Sequence, residues 1–412
     1  VVVSNVALWT LVGAWLVKSL PSVSRWPLLG TFLFWPSFVD NQLLGMETPL
    51  FVMLLVGAVQ SALAGRLRTS ACAYGWALIT RPEAVLLAPC LLYAALSSTD
   101  GRRAARMLVR PASLALLLGP GIAWAAFAYS SYGGVIPQSM LAKTGWNSEH
   151  YDTLFTLQST LLAVPRLSFL PFVDYFPGAL RWAATAGVLA FVAAVLVSNV
   201  RSGTRASRTW AGFYALYLTF FLVGKGATEA SWYSVPSSVA LLLAAEPLVR
   251  RSLERAGPHA ARGVRWALPV GLALASAAMA SQRAPLLKSY VEGYGNSADY
   301  LNELTSPSTD QRVLIGEIGV YGFRSQHTII DVGALVSPEV LPMKNAGYSL
   351  CRMIQESRAD YFVISEHALE TNFYPSVGDV WSGPAERAWL ESCSEVSAYA
   401  GKRTYRVPET SP

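Results

Sequence analysis

Arginine residues gather in four short segments that separate long apolar stretches of the chain. The clusters are Arg66 and Arg68; Arg102, Arg103 and Arg106; Arg201, Arg205 and Arg208; and Arg250, Arg251, Arg255, Arg262 and Arg265. A helix needs about 20 apolar residues to cross a bilayer, and short loops rich in Lys and Arg remain in the cytoplasm. Each interval between clusters has room for two crossings. The pattern therefore predicts a polytopic α-helical membrane protein with its polar motifs on the outer face.

Composition and charge favour the same class. Hydrophobic residues make up 53% of the chain and charged residues only 14%, which is typical of membrane proteins. The net charge of +6 comes from loops between apolar segments, so it indicates sidedness, and we expect no nucleic-acid partner. Cys351 and Cys393 lie in the polar C-terminal part, and they could pair if that part faces an oxidising compartment.

The apolar segments predict about ten crossings. They are residues 1–17, 26–40, 48–64, 69–80, 84–98, 108–128, 179–197, 209–224, 234–249 and 264–280. Alternating them across the basic loops makes residues 1–280 a transmembrane helical domain with a long outer loop at 129–178. The same alternation places Val1 outside. We therefore expect an odd number of crossings, most simply one, upstream of Val1.

The pattern changes at about Ser281. Residues 289–304 and 338–358 have helical character, whereas Arg312–Ile318, Thr328–Val332 and Tyr361–Ser365 have the composition of strands, and Thr404–Val407 suggests one more. Strands that alternate with helices predict a small α/β domain. This domain spans residues 281–412, and the positions of the basic loops make it extracytoplasmic.

Four polar stretches fall on the predicted outer side: residues 44–49, 80–83, 132–145 and 225–233. Their cations could hold a phosphate, and their carboxylates could hold sugar hydroxyls. The candidate substrate-binding residues are Glu47, Arg81, Glu83, Gln138, Lys143, Lys225, Trp232 and Tyr233. Structural roles remain open for them: helix capping or mutual neutralisation for the Arg81 group, lipid-headgroup contact for the lysines, and an aromatic belt for the aromatic pair.

No cofactor is specified by the sequence. Glu47 and Glu83 could contribute oxygen ligands to a divalent cation, but two scattered carboxylates do not define a metal site. Gly316, Gly319 and Gly322 do not follow the G-x-G-x-x-G spacing of dinucleotide-binding loops, so we interpret them as turn residues.

Three of these stretches resemble, in order, the motifs of a known enzyme family. Gly45-Met46-Glu47-Thr48, Thr80-Arg81-Pro82-Glu83 and Tyr132-Gly133…Pro137-Gln138…Ala142-Lys143 are similar to G-L-E-T, T-R-P-E and Y-Y-G-x-x-x-P-N-x-x-x-A-K. Those motifs belong to bacterial polytopic GT-C glycosyltransferases, including the arabinofuranosyltransferase-like group of mycobacterial cell-wall assembly. Residues 316–322 and 330–335 resemble the start of their C-terminal extracytoplasmic domain. Met46 and Gln138 replace the commoner Leu and Asn.

The resemblance implies a GT-C-like bundle in the bacterial inner (cytoplasmic) membrane. It implies transfer of a sugar from a polyprenyl-phosphate-linked donor to a cell-envelope glycan or lipid acceptor on the outer face. The family carries its catalytic base in a first outer loop, which would lie upstream of Val1, so no residue is assigned as catalytic. The alternative is a transporter or flippase, a class that tends to show internal repeats and broken polar helices, and the sequence has no evident repeat.

Overall fold

The computed structural model describes residues 2–19, 24–25, 28, 47–97, 101, 106–107, 109–132, 134–135, 163–168, 178–223, 231–305, 310–316, 318–334, 336–374 and 377–408. The chain divides into two compact units. The first comprises residues 1–135 and 154–280, and the second includes residues 281–412.

Helices build the described part of the first unit. They are α1 Val2–Ser19, α2 Thr48–Leu63, α3 Leu67–Thr80, α4 Ala88–Leu96, α5 Pro111–Tyr132, α6 Gly178–Ser202, α7 Arg205–Val223 and α8 Ser231–Leu304, with a 3-10 helix at Pro82–Leu87. Gly257 has φ 78° and ψ 171° inside α8. These angles are open to glycine and strained for other residues, so Gly257 kinks the helix. The part of α8 after Ala280 belongs to the second unit.

An aromatic stripe on α7 occupies the core of the first unit. Phe213, Tyr217 and Phe221 recur every four residues, which places them on one face of the helix. Their ring centroids are 5.6 Å apart for the first pair and 4.8 Å apart for the second. Phe213 and Tyr217 are fully buried, and Phe221 is nearly so. This stripe is the surface against which the start of α8 packs.

The prediction of about ten crossings is wrong. Within the described residues, two helical segments are long and apolar enough to span a membrane, Pro111–Ser131 and Gly178–Ser202. Thr48–Leu63 has 16 residues and extends about 24 Å, short of the roughly 30 Å hydrocarbon core. Leu67–Thr80 is shorter still, with 14 residues. The segment 26–40 lies outside the described residues apart from residue 28.

The two spanning-length helices indicate an association with a membrane. Only 11% of the Pro111–Ser131 window and 22% of the Gly178–Ser202 window is buried, so most of their apolar side chains face outward. Exposed apolar helices of this length are favourable in lipid and unfavourable in water. Neither the number of crossings nor their sidedness follows from this observation.

The second unit contains a mixed five-stranded sheet in the order β2-β1-β3-β7-β6. The strands are β1 Arg312–Ile315, β2 Thr328–Asp331, β3 Tyr361–Ser365, β4 Phe373–Tyr374, β5 Gly378–Asp379, β6 Ser394–Tyr399 and β7 Lys402–Arg406. β1 runs parallel to β2 and β3, whereas β7 runs antiparallel to β3 and β6. The small β4–β5 ladder is separate.

Helices of the second unit cover both faces of this sheet. They are the end of α8, α9 Ile318–Arg324, α10 Leu341–Asn345, α11 Leu350–Glu356, α12 Glu366–Thr371 and α13 Pro384–Ser392, with a 3-10 helix at Pro338–Val340. Val313 and Ile315 pack on one side with Tyr321, whereas Leu314 and Phe362 pack on the other side with α11 and α13 residues. This alternation follows from the period of two along a strand.

Several features of the second unit differ from what the sequence predicts. Gly319 and Gly322, interpreted from the sequence as turn residues, lie within helix α9. The strand β6 is not predicted, and its two-residue turn to β7 places Ala400 and Gly401 at φ 47° and 74°. Positive φ at both positions matches the right-handed twist of a tight hairpin. Cys351 and Cys393 are free thiols buried in one core. Burial raises the pKa of Cys351 to about 12 and that of Cys393 to about 11.

We expect Gly316→Ala to destabilise the second unit. A Cβ at Gly316 would overlap the hydroxyl of Tyr374 and lie 2.7 Å from two of its ring carbons. Because Tyr374 is buried, this overlap should cost about 1–3 kcal/mol of unfolding free energy. Exposure of the buried Cys351 thiol during thermal unfolding measures the effect. Gly319→Ala is the matched control, since nothing lies within 4 Å of its Cβ; equal stability of the two variants would contradict the expectation.

Candidate functional site

The segment Thr80-Arg81-Pro82-Glu83 forms a sharp corner between two helices. A residue that precedes proline is pushed out of the helical region, and Arg81 has φ −151° and ψ 126°. Helix α3 therefore ends at Thr80. Pro82, whose fixed φ suits a first turn, begins the 3-10 helix, and Glu83 lies in that turn. The corner holds the Arg81 and Glu83 side chains two residues apart in a fixed local arrangement.

Arg81 points into the first unit, and its side chain is only 6% exposed. Its Nη2 lies 3.4 Å from Oε1 of Glu83, and its Nε lies 4.0 Å from Oε1 of Glu47. The guanidinium carbon lies 4.9 Å from the centroid of the Tyr233 ring and 5.5 Å from that of Phe51. Arg81 is therefore held by two carboxylates and two aromatic rings, and we call these five residues the Arg81 cluster.

Electrostatics keep the guanidinium charged in this buried position. Burial lowers the pKa of Arg81, but the neighbouring Glu83, Tyr217 and Glu47 raise it by more, so the net shift is upward. Glu83 is 12% exposed and Glu47 is 46% exposed. Since screening by water weakens an exposed pair, Glu83 is the stronger partner.

Two polar atoms, one on the cluster and one on a residue next to it in sequence, are buried without a hydrogen-bond partner among the described residues. They are Oε2 of Glu83 and the Oγ1 of Thr48, the residue after Glu47. An unpaired buried polar atom costs about 1–3 kcal/mol. Such atoms in a native structure are explained by an ordered water or by a ligand. The carboxylate oxygen can accept a hydrogen bond, and the hydroxyl can donate or accept one.

The aromatic stripe of α7 positions Tyr233. The Tyr217 hydroxyl donates a hydrogen bond of 3.0 Å to the backbone carbonyl of Tyr233, and the rings of Phe221 and Tyr233 lie 5.0 Å apart. Both contacts fix the first turn of α8, and with it the ring that faces Arg81. Tyr217 thus acts on the cluster through Tyr233.

The structure brings together four of the eight residues predicted for the site: Glu47, Arg81, Glu83 and Tyr233. These four come from three stretches that are distant in sequence. Trp232 belongs to α8, and its side chain is not described. Gln138, Lys143 and Lys225 lie outside the described residues, so the predicted phosphate-binding role of the two lysines stays a prediction.

Sequence reasoning missed Phe51 and Tyr217. Phe51 lies one turn after Thr48 on α2, so it shares the helix end that carries Glu47. Tyr217 could be identified as part of an aromatic repeat every four residues, although that pattern by itself indicates only a buried face.

The chemistry of the cluster favours an uncharged polar ligand over a metal ion. Glu47 and Glu83 both face Arg81, whose charge would repel a divalent cation placed between them. One cation and two carboxylates give the cluster a formal charge of −1. It can accept hydrogen bonds from the hydroxyl groups of a ligand.

We expect the two carboxylates to differ sharply in their contribution to stability. Glu83→Ala leaves Arg81 buried with its nearer partner removed and should cost about 3–5 kcal/mol of unfolding free energy. Glu47→Ala removes a half-exposed partner and should cost below about 1 kcal/mol. Exposure of the buried Cys90 thiol, with the other cysteines replaced, reports unfolding of the first unit. If the two variants lost equal unfolding free energy, the burial of a carboxylate would not determine how much it stabilises Arg81.

Comparison with known proteins gives a match for one part of the chain. Residues 284–407 match a family model described as a domain of unknown function, DUF8728. This range lies in the second unit and amounts to less than a third of the chain. No curated protein and no solved structure matches the sequence.

Proposed function

We propose that this protein is a membrane glycosyltransferase. It moves a sugar from a polyprenyl-phosphate-linked donor to a cell-envelope glycan or lipid acceptor, and the Arg81 cluster holds the sugar beside its phosphate. The observation that carries the proposal is the buried Arg81–Glu83 pair with an unpartnered carboxylate oxygen. The resemblance of residues 45–48 and 80–83 to glycosyltransferase motifs supports it, because Glu47 of the first motif lies 4.0 Å from Arg81 of the second although the two are distant in sequence.

Glu83 and Tyr233 of the cluster, and the neighbouring Thr48, have specific roles in this proposal. Oε2 of Glu83 accepts a hydrogen bond from a sugar hydroxyl, and Oγ1 of Thr48 pairs with a second polar group of the ligand. A site that is built to hydrogen-bond a hydroxyl discriminates strongly against ligands that lack it, since its own buried groups would then stay unpaired. The Tyr233 ring, stacked on Arg81, orients the guanidinium.

Arg81 stabilises the negative charge that develops on the departing phosphate. A preorganised cation at a developing charge contributes several kcal/mol to transition-state stabilisation. Because Glu47 and Glu83 already offset the Arg81 charge, Arg81 alone is a weak anchor for a resting phosphate. The proposal therefore gives Lys143 and Lys225 the task of binding the phosphate in the ground state. Arg81 then acts mainly in the transition state.

Membrane association is part of the same proposal. A polyprenyl-phosphate donor lies in a bilayer, and the helices Pro111–Ser131 and Gly178–Ser202 have the length and composition to anchor the enzyme there. We further propose the bacterial inner membrane as the location, with residues 281–412 on the extracytoplasmic side. The basic clusters around Arg201 and Arg250 then face the cytoplasm.

We expect Arg81→Ala and Glu83→Gln to reduce sugar transfer by about 100- to 1,000-fold, the loss typical of removing one preorganised charge or hydrogen-bonding group. Transfer is measured with a radiolabelled polyprenyl-phosphate sugar and membranes of cells that express the natural gene. Arg81→Lys keeps the charge but loses the planar geometry that stacks on Tyr233, so it should restore transfer only in part. The matched control is Arg68→Ala, an exposed arginine on the same helix α3.

Sugar transfer by a variant is compared with wild type only if its Cys90 thiol stays protected from modification. This condition separates a loss of activity from a loss of folding. Wild-type transfer by both folded variants would reject the Arg81 cluster as the site. Movement of a labelled lipid across sealed vesicles, with no sugar transferred by the wild type, would reject the enzyme in favour of a flippase.

We expect opposite sidedness for two positions on the described helices. In a background without native cysteines, Asn296→Cys should react with an impermeant maleimide in intact cells, whereas Ser202→Cys should react only after the membrane is permeabilised. Both residues are exposed in the structure, so the difference measures sidedness rather than burial. Labelling of Ser202→Cys from outside would overturn the proposed orientation.

A further inference from the structure

An apolar groove of about 460 Å³ lies among α1, α2 and α3 of the first unit. Its walls include Leu11 and Trp15 of α1, Leu54 and Gly57 of α2, and Thr69 and Ala73 of α3. Gly57 lets the Trp15 ring approach α2 closely, since a Cβ at that position would lie only 3.1 Å from the ring. The apolar walls of this open groove lack packing partners, so filling it with an apolar group is favourable.

The groove lies farther along the two helices whose ends carry Glu47 and Arg81. Helix α2 begins at Thr48 beside Glu47, and α3 ends at Thr80 beside Arg81. The 4.0 Å distance between Arg81 and Glu47 shows that these two helix ends meet. Measured along α2 at 1.5 Å per residue, the groove residues Met53 to Ser61 lie about 8–20 Å from Thr48. Along α3, Ala73 and Thr69 lie about 12 Å and 18 Å from Arg81.

These distances match a short hydrocarbon chain that hangs from a headgroup at Arg81. An isoprene unit adds four carbon–carbon bonds to the chain, or about 5 Å when extended. About two units would therefore reach the near edge of the groove, and about four would reach its far end.

We propose that this groove holds the first isoprene units of the lipid that carries the phosphate, up to about the fourth. The proposal rests on the proposed function, because the headgroup defines the starting point of the chain. The groove would be a specific site for the lipid tail, and the affinity would depend on tail length up to about the fourth isoprene unit. Isoprene units beyond the groove would lie in the bilayer and would contribute equally to the affinity of every variant for the lipid.

The test compares two polyprenyl phosphates that differ only in length. Geranyl phosphate has two isoprene units and ends at the near edge, whereas geranylgeranyl phosphate has four and fills the groove. Residues 1–412 in nanodiscs should bind the longer lipid more tightly by about tenfold or more, because apolar surface is buried with each added unit. Ala73→Phe fills the groove and should remove most of this preference while leaving the affinity for geranyl phosphate unchanged.

Two controls accompany this variant. Ala14→Phe fills the groove from α1, so one variant tests the groove if the other does not fold. Ala115→Phe adds the same bulk on the exposed face of α5 and should keep the preference for the longer lipid. Each lipid partitions into the bilayer to the same extent whichever protein is present. Comparing the affinities of variant and wild type for the same lipid therefore removes this effect.

The outcomes separate this inference from the proposed function. If the preference survives in folded Ala73→Phe and Ala14→Phe proteins, the groove does not take the chain, and the inference is overturned whether or not Arg81 binds the headgroup. If groove filling removes the preference, the inference stands. The proposed function is tested separately, by the sugar-transfer assay of Arg81→Ala and Glu83→Gln, because Arg81 acts mainly in the transition state and its loss need not weaken the binding of either lipid.

Discussion

The burial of one guanidinium organises the first unit. Arg81 is 5% exposed, and a charge in that position is tolerated only with partners. Its partners come from three helices: Glu47 and Phe51 from the start of α2, Glu83 from the 3-10 helix, and Tyr233 from the start of α8. The need to compensate a single charge thus brings together the ends of elements that are far apart along the chain. The aromatic stripe of α7 contacts Tyr233 through Tyr217 and Phe221 and so fixes the position of its ring.

Part of the cluster could be predicted from local sequence rules. Pro82 ends α3 and forces Arg81 into an extended conformation, and both effects follow from the proline ring. The contact of Arg81 with Tyr233 does not follow from such rules, because it depends on the packing of α8 against α7. Phe51 was missed for a related reason. An apolar residue in an apolar helix carries no sequence signal that distinguishes a ring beside a cation from a ring in the core.

The failure of the ten-crossing prediction has a different cause. The apolar segments were counted by hydropathy, although several are too short to cross a bilayer as single helices. In the structure, 48–64 and 69–80 become the paired helices α2 and α3, whose buried faces pack on each other and on α1. The strand β6 was missed because its sequence, Ser-Glu-Val-Ser-Ala-Tyr, is polar and half-exposed. Pairing with β7 across a turn that contains Ala400 makes it a strand, and Ala is an uncommon residue at positive φ.

The shortness of α2 and α3 also gives the paired helices two different ends. At one end, Glu47, Arg81 and Glu83 form a polar cluster, and Oε2 of Glu83 and Oγ1 of Thr48 are buried there without a hydrogen-bond partner among the described residues. Toward the other end, small residues leave an apolar groove that begins about 8 Å farther along. A molecule with a polar head and an apolar tail matches this order of surfaces, whereas a wholly polar ligand would leave the groove empty. A wholly apolar ligand would leave the buried oxygen atoms unpaired, at a cost of about 1–3 kcal/mol each. The arrangement along a single pair of helices therefore favours an amphiphilic ligand, whichever reaction the protein performs on it.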